Sequence, residues 1–355
     1  MGLLLASTPV GPMGTGIGGG VELTLRNLVQ ELQRRGETVD VLAPAGSMLP
    51  AANVIAVPGD AHPFAQNDPW DAPIQLPTDS VLARMWDWVR RHQHGYDLVV
   101  NFAYDWLPFY LTPFLQIPVL HFVSMGSLQA SLDRMLAQTA VRFPGTLGVY
   151  TRIQAQSFAF TQHQPQSFRV LGSGIDLSLY EYRADAGPQL AWVGRIAPEK
   201  GLEDAAAVSA RLDREVWVMG KMQDEAYWQR IQQDFPTAQL IYTGFHDTTN
   251  LQSRLGQCQA LLMTPKWVEA FGNVAIEALA CGVPVISYAR GPHRNCRHQE
   301  TGFLVEPDNL DSLCQAVAQV PALRRDRCRR QAEREYSLEA LGDRFQDWFA
   351  TVRRT

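Results

Sequence analysis

The sequence predicts an α/β protein with two domains, each a parallel β-sheet covered by helices. Its 355 residues exceed one ordinary core and suit two domains. Apolar runs of strand length alternate with helical patterns, as in parallel sheets with helices on both faces. The pattern restarts after a glycine- and proline-containing stretch at 172–188. The predicted architecture is therefore two Rossmann-like domains facing a cleft, with ligands at the carboxyl ends of the strands.

Apolar patterning places each element along the chain. In the first half, strands are predicted at 2–7, 38–43, 53–57, 97–101, 118–123 and 146–150, with helices at 20–35 and 79–92. In the second half, strands are predicted at 189–193, 215–219, 239–242, 260–263 and 283–287, and a last amphipathic helix at 337–353.

Charge and cysteine usage exclude several function classes. The net charge is −5, and residues 1–170 hold ten Arg, no Lys and twelve acidic residues. This balance argues against nucleic-acid partners and an anionic-membrane patch, which need clustered positive charge. No apolar stretch approaches the ~20 residues of a membrane span, and the opening lacks the basic region of a signal peptide. We therefore expect a cytoplasmic protein without membrane association. The five scattered cysteines indicate buried thiols in a reducing compartment.

A glycine-rich loop, G-P-M-G-T-G-I-G-G-G at 11–20, separates the first strand from the first helix. Gly14, Gly16 and Gly19 satisfy G-x-G-x-x-G, but the turn is longer than in a dinucleotide-binding fingerprint, and no G-K-[ST] follows. Such a loop brings backbone N–H groups and a helix N-terminus against an anion. A merely flexible loop is the alternative interpretation.

Two charged clusters mark the second half. Arg195 and Lys200 lie in G-R-I-A-P-E-K-G, directly after the first strand of that half. Arg and Lys at a strand end suit a diphosphate, although a solvated loop pair is the alternative. Glu269 precedes a helix that starts near Phe271, and Glu277 lies about two turns into it. One carboxylate would accept hydrogen bonds from sugar hydroxyls and the other from the hydroxyls of a ribose. A simple cap of the helix is the alternative interpretation of Glu269.

These motifs together resemble retaining glycosyltransferase family 4, which has the GT-B fold. The resemblance rests on G-R-x-x-P-E-K-G, T-G-F, and E-x7-E running into E-A-L-A-C-G-V-P-V-I, and it covers essentially the whole chain. It implies an acceptor-binding domain at 1–175, a nucleotide-sugar-binding domain at 176–335 and a helix at 336–355 that packs back on the first domain. The sequence departs from the family pattern at Lys266, where Ser is usual.

The resemblance also implies a role for each site residue. Arg195 and Lys200 would bind the donor diphosphate, Glu277 the ribose and Glu269 the transferred sugar. The family histidine that faces this sugar corresponds to His121, placed at the end of a strand, although a satisfied core histidine is the alternative. The remaining donor contacts would come from Gly18, Gly19, Gly20, Phe245 (for the base), Phe271, Gly272, Asn273 and Val274.

The reaction that the resemblance implies is a retaining hexosyl transfer from a UDP-sugar, UDP-glucose, to a small-molecule hydroxyl. It involves front-face attack and no covalent side-chain intermediate. The sequence contains no Asp-x-Asp pair for a metal. We therefore expect no metal and no cofactor, with the UDP-sugar as co-substrate.

The acceptor is expected to bind first-domain loops. Residues 101–106, N-F-A-Y-D-W, follow a strand and combine rings with an amide and a carboxylate, which suits a flat heterocycle; a packed helix–sheet seam is the alternative. The opening segment resembles cyanobacterial pteridine glucosyltransferases, which use UDP-glucose and tetrahydrobiopterin. The expected acceptor contacts are Met13, Asn101, Tyr104, Asp105, Trp106 and Ser124.

Four alternatives stay open at this point. In the first, the chain is a glycosyltransferase whose acceptor is a lipid or another sugar instead of a pterin. In the other three, it is an NAD-dependent oxidoreductase, a sugar-nucleotide epimerase, or a UDP-sugar-binding protein without catalytic activity.

Overall fold

The computed structural model describes residues 2–16, 18–50, 52–63, 69–290 and 296–352, which form two compact units. Unit 1 comprises Met1–Gly174 with Leu338–Thr355, and unit 2 comprises Ile175–Ser337. Each unit has its own parallel sheet, so the predicted fold class of two parallel α/β domains is confirmed. No helix among the described residues is long and apolar enough to cross a membrane.

Unit 1 is built on a parallel sheet that has seven strands in the described residues. The strands are β1 (Gly2–Ala6), β2 (Thr38–Pro44), β3 (Asn53–Val57), β4 (Leu98–Asn101), β5 (Val119–Val123), β6 (Leu147–Val149) and β7 (Phe168–Val170). The helices between them are α1 (Gly20–Arg34), α2 (Val81–His92), α3 (Trp106–Leu111), α4 (Ala130–Arg142) and α5 (Arg152–Gln156). The strand order is β3-β2-β1-β4-β5-β6-β7.

Unit 2 repeats this architecture with six parallel strands in the described residues. They are β8 (Leu190–Val193), β9 (Val216–Met219), β10 (Leu240–Gly244), β11 (Ala260–Met263), β12 (Val285–Tyr288) and β13 (Gly302–Val305). Its helices are α6 (Leu202–Leu212), α7 (Glu225–Asp234), α8 (Thr248–Gln257), α9 (Asn273–Ala280), α10 (Leu310–Gln319) and α11 (Arg325–Glu335). The strand order is β10-β9-β8-β11-β12-β13.

Both sheets reverse their winding direction at one point. In unit 1 the reversal lies between β1 and β4, and in unit 2 between β8 and β11. Loops that leave the carboxyl ends of two such strands diverge to opposite faces of the sheet, and this opens a crevice where α/β proteins bind ligands. The topology therefore selects the loops after β8 and β11 as the ligand-binding edge of unit 2, and those after β1 and β4 in unit 1.

The last helix, α12 (Leu338–Val352), belongs to unit 1, where it packs against α1. Trp348 is fully buried, and its indole N–H donates to Gly145 O at 2.7 Å. The ring lies over β6 at Gly148, where an added Cβ would come within 2.9 Å of it. Glycine at this strand position therefore makes room for the tryptophan that anchors the C-terminal helix.

Candidate active site

The loops after β8 and β11 are joined by two short hydrogen bonds. Thr264 Oγ1 donates to Gly201 O at 2.6 Å, and Lys266 N donates to Glu199 O at 2.9 Å. Gly201 has φ +66°, and an added Cβ would lie 2.0 Å from Thr264 O, so no larger residue fits. The two charged clusters predicted from the sequence are therefore held side by side at the ligand-binding edge of unit 2.

Within this junction, Lys200 and Glu269 form an ion pair. Lys200 Nζ lies 2.6 Å from Glu269 Oε2, and the two side chains are 20% and 18% exposed. Trp267 contacts both: its indole N–H donates to Glu269 Oε2 at 3.2 Å, and Lys200 Nζ lies 5.0 Å from the ring centroid. The structure thus brings together the cation predicted for the diphosphate and the carboxylate predicted for the sugar.

Arg195 lies on the same loop but points to other partners. Its Nη2 is 2.9 Å from Glu199 Oε1, and its Nη1 donates to Gln223 Oε1 at 2.5 Å. The side chain is 40% exposed, so it is open to an incoming anion. Glu199 therefore acts as a local counter-ion for Arg195, as Glu269 does for Lys200.

Helix α9 begins directly after the Glu269 loop. Gly272 precedes it with φ +74°, and Asn273 and Val274 form its first turn, where backbone N–H groups face outward. Phe271 is buried and packs edge-on against Tyr336 at 6.1 Å, which fixes the start of the helix. Glu277 lies about one turn further on and accepts a hydrogen bond from the Tyr180 hydroxyl at 2.9 Å.

Phe245 follows β10, two strands away from the Lys200 loop in the sheet order. Its ring is 76% exposed, so it is available to stack on a planar group. The structure therefore leaves the residue predicted to meet the nucleotide base on the surface of unit 2.

The glycine-rich loop of unit 1 does surround an anion, but that anion is the protein's own Glu22. The backbone N–H groups of Gly14, Gly16 and Gly18 donate to its carboxylate at 2.5, 3.3 and 3.2 Å. Gly19 N donates to Gly16 O at 3.2 Å, and Gly20 begins α1. The N–H groups of Gly18 and Gly19 thus already make hydrogen bonds inside the loop. The sequence had led us to expect these groups to be open to the nucleotide-sugar donor.

Two other predicted site residues lie in the core of unit 1. The parallel register of β4 and β5 pairs Asn101 with His121, and Asn101 Nδ2 lies 3.2 Å from His121 Nδ1. His121 Nε2 lies 2.9 Å from Thr112 Oγ1, and its ring stacks on Phe109 at 4.2 Å. Both side chains are fully buried, and burial lowers the pKa of His121 to about 3, so its ring is neutral at pH 7.

The predicted strand-end position of His121 is therefore wrong, because it is the middle residue of the five in β5. Asn101 is the last residue of β4, and its amide is paired with His121 and with Ala103 O at 3.0 Å, so its role in acceptor binding stays a prediction. For His121, this cross-strand pairing corresponds to the alternative of a satisfied core histidine.

The remaining acceptor residues divide into buried and accessible ones. Met13 and Ser124 are buried. The Tyr104 hydroxyl donates to Gly126 O at 2.9 Å and accepts from Leu128 N at 3.1 Å, and burial raises its pKa. Trp106 is half-buried and stacks on Tyr110 at 4.5 Å. The side chains of Tyr104 and Trp106 thus have different neighbours, and their role in acceptor binding stays a prediction.

Asp105 is held in a hydrogen-bonded chain that the sequence did not reveal. Its Oδ1 accepts from Leu107 N at 3.1 Å and so caps α3, while Oδ2 lies 3.0 Å from His62 Nδ1. His62 Nε2 lies 2.7 Å from Ser80 Oγ, the side chain that caps α2. His62 and Ser80 are buried, and the Asp105 side chain is 18% exposed. Contacts between segments far apart in sequence thus orient the Asp105 carboxylate, which stays partly exposed.

Two family models match this chain. The model described as Glycosyltransferase Family 4 matches residues 18–142, and that described as Glycosyl transferases group 1 matches residues 182–337. Together they cover β2 to β5 of unit 1 and the whole sheet of unit 2.

The chain belongs to glycosyltransferase family 4.

Full-length likenesses agree with this membership. This glycosyltransferase is 25% identical over 361 residues to the D-inositol 3-phosphate glycosyltransferase of Mycobacteroides abscessus, covering 90% of this chain and 80% of the relative. In structure it is similar to sucrose-phosphate synthase from Thermosynechococcus elongatus, with TM-score 0.76, 18% identity and 99% of both chains covered. It is also similar to Anabaena HepE in complex with UDP and glucose, with TM-score 0.74, 16% identity and 99% of both chains covered. These neighbours establish the GT-B fold.

Membership in this family decides against the nicotinamide-dependent oxidoreductase and the epimerase. The glycosyltransferase's five cysteines are free and buried, as predicted, and burial raises the pKa of Cys258 and Cys281 to about 12. A protonated thiol is a weak nucleophile, which argues against a catalytic cysteine. Within the residues that the structure describes, no group of three or more His, Cys, Asp or Glu side chains is arranged to hold a metal ion.

Proposed function

We propose that this glycosyltransferase is a retaining hexosyltransferase that moves glucose from UDP-glucose to a hydroxyl of a small molecule, a pterin such as tetrahydrobiopterin. The observation that carries the donor half is the Lys200–Glu269 pair at the ligand-binding edge of unit 2, with Arg195 on the same loop. A sugar diphosphate needs cations for its phosphates and a carboxylate for its hydroxyls, and this edge holds both.

The donor has one partner for each of its parts. Arg195 and Lys200 bind the diphosphate, helped by the N–H groups of Asn273 and Val274 at the start of α9. Glu269 accepts from the hydroxyls of the transferred sugar, and Glu277 from those of the ribose. Phe245 stacks on the base. The UDP and glucose bound in the HepE structure support this choice of donor.

In the transfer step, the bond between the anomeric carbon and the UDP oxygen breaks, and the acceptor oxygen bonds to the same face of that carbon. The acceptor's proton passes to the leaving phosphate, so no side chain forms a covalent intermediate. Arg195 and Lys200 stabilise the negative charge that develops on UDP. No further cofactor takes part, since the UDP-sugar is itself consumed.

On the acceptor side, Asp105 of unit 1 accepts from N–H groups of the pterin. Its two oxygens are oriented by Leu107 N and His62, so the carboxylate is fixed before the acceptor binds. Trp106 is the next residue and the first of α3, and its half-buried ring offers a surface for stacking.

A UDP-release assay tests this function. Purified protein is given UDP-glucose, UDP-galactose or UDP-N-acetylglucosamine with each of several acceptors, including tetrahydrobiopterin and other pterins. We expect release with UDP-glucose and a pterin, together with a glucosylated pterin of retained anomeric configuration. Binding of UDP-glucose without turnover on any acceptor would favour a catalytically silent binding protein instead.

A second candidate acceptor is a sugar or cyclitol. The name of the M. abscessus relative specifies D-inositol 3-phosphate as its acceptor, a ring that carries hydroxyls. Asp105 suits hydroxyl donors as well as N–H donors. The same panel therefore includes myo-inositol, inositol 3-phosphate and simple sugars. Transfer to these and to no pterin would replace the pterin proposal and leave the glycosyltransferase intact.

Chelation separates the proposed charge stabilisation from a metal-dependent one. Since Arg195 and Lys200 neutralise the diphosphate, we expect saturating EDTA to leave most of the turnover in place. The assay is repeated with added Mg²⁺ and Mn²⁺ as controls. Complete loss of turnover, restored by either metal, would contradict this account.

A further inference from the structure

Trp267 is a side chain that touches both charges of the donor site. The face of its ring lies 5.0 Å from Lys200 Nζ, and the N–H at its edge donates to Glu269 Oε2 at 3.2 Å. Lys200 Nζ and the same Oε2 are 2.6 Å apart. The three side chains thus form a closed set of contacts, in which the indole uses two different parts of its surface.

The backbone around Trp267 is anchored on both sides. Lys266 N bonds to Glu199 O at 2.9 Å, and Lys266 Nζ bonds to Asp204 Oδ2 at 2.5 Å. On the other side, Glu269 N bonds to Arg290 O at 3.2 Å. Lys266 stands where the family usually has Ser, and its ion pair with Asp204 therefore adds a side-chain contact with α6 next to Trp267. These contacts fix the backbone that carries the indole ring.

The two contacts of the indole act differently on the charges. An ammonium has three N–H donors, and the aromatic face attracts it through the ring quadrupole without supplying a lone-pair acceptor. Lys200 is therefore held in place while N–H groups stay available for phosphate oxygens. The edge N–H, by contrast, occupies one site of the Glu269 carboxylate and sets its rotation, which leaves the remaining lone pairs for sugar hydroxyls.

We propose that Trp267 is the positioning residue of the donor site: its ring face sets Lys200 for the diphosphate, and its N–H sets Glu269 for the transferred sugar. This inference rests on the proposed donor roles of Lys200 and Glu269. It assigns the two halves of donor binding to two separable features of one side chain.

Two substitutions separate these features. Trp267→Phe keeps an aromatic face and removes the N–H, whereas Trp267→Leu removes both. Calorimetry measures the dissociation constants of UDP and UDP-glucose, and the release assay measures kcat and KM. Trp217→Phe is the matched control, since Trp217 on β9 also donates its indole N–H to a glutamate, Glu215, outside the donor loops.

For Trp267→Phe we expect a UDP dissociation constant within about threefold of wild type, because the cation–π contact survives in weaker form. The extra affinity of UDP-glucose over UDP should disappear, and kcat should fall about tenfold, as for one lost hydrogen bond to a charged group. For Trp267→Leu the UDP dissociation constant should also rise about tenfold. Trp217→Phe should leave all of these values unchanged.

Three outcomes would overturn the inference. If Trp267→Phe binds UDP-glucose more tightly than UDP by the same factor as the wild type does, the indole N–H does not position Glu269. Unchanged UDP affinity in Trp267→Leu would exclude the role of the ring. Equal losses in both variants with a lowered melting temperature would make Trp267 a packing residue.

The proposed donor is tested separately in the same experiment. Wild-type protein is first titrated with UDP, GDP and ADP, and the variants are then measured with the diphosphate that binds and with its sugar. Binding of GDP or ADP in place of UDP would change the donor and leave the test of Trp267 in force. Binding of none of the three would overturn both the donor assignment and the role of Trp267.

Discussion

Lys200→Ala should lower the turnover of this glycosyltransferase by about 10²-fold or more, the scale for losing one preorganised charge that faces the leaving group. Lys200 is 20% exposed, so its charge acts where water screens it only in part. Its removal also leaves Glu269 without the partner that lies 2.6 Å away. We therefore expect weaker UDP binding as well, since an unpaired carboxylate then faces the diphosphate.

A double variant separates these two effects. In Lys200→Ala/Glu269→Gln the repulsive carboxylate is gone, so UDP affinity should recover in part while turnover stays low. Arg195→Ala should also lower turnover by about 10²-fold. Arg254→Ala, which removes an exposed cation on α8, is the control and should leave turnover unchanged. Near-normal rates in both Lys200→Ala and Arg195→Ala would contradict the donor-site assignment.

The donor loops were predictable because their chemistry is local in sequence. Arg195 and Lys200 follow β8, and Glu269 and Glu277 surround the start of α9, so each short segment carries its own charge pattern. The sheet order then adds what the sequence could not supply, namely that β8 and β11 are neighbours at the winding reversal. The ion pair between Lys200 and Glu269 follows from that adjacency, and so does the place of Trp267, which no local pattern marked.

Sequence patterning missed two of the described strands, each at one edge of its sheet. β7 ends the sheet of unit 1, and β13 ends that of unit 2. They have three and four residues, and the residues of β7 are half-buried or exposed. An edge strand pairs on one side only and needs no long apolar run, so its sequence gives little signal. The central strands, buried on both faces, were placed within a few residues.

The acceptor side was predicted less well because its contacts join distant segments. Asn101 and His121 each suited a ligand when considered alone, but the register of β4 and β5 places them against each other in the core. The chain from Ser80 through His62 to Asp105 joins three separate stretches of sequence. Polar residues after a strand therefore indicate a ligand site only when their hydrogen-bond partners within the protein are known. Asp105 has such partners and is still partly exposed, so it stays a candidate for acceptor binding.

Asp105→Asn should raise the KM for the acceptor by about 5- to 150-fold, which corresponds to about 1–3 kcal/mol for a mispaired buried group. The amide replaces one acceptor oxygen with a donor, so pterin N–H groups that bonded to the carboxylate lose their partner. The fold should be kept, because Asn caps a helix about as well as Asp and can still accept from Leu107 N. Steady-state kinetics with tetrahydrobiopterin as the varied substrate measure the effect.

The dissociation constant of UDP is the internal control for this variant. Asp105 belongs to unit 1, whereas Lys200 and Glu269 belong to unit 2, so UDP affinity should not change. Asp87→Asn makes the same chemical change at an exposed carboxylate of α2 and should alter neither constant. If Asp105→Asn instead transfers glucose to pterins with the wild-type KM, Asp105 serves only as the cap of α3. The acceptor must then bind other loops of unit 1, of which 124–127 after β5 is the first to test by substitution.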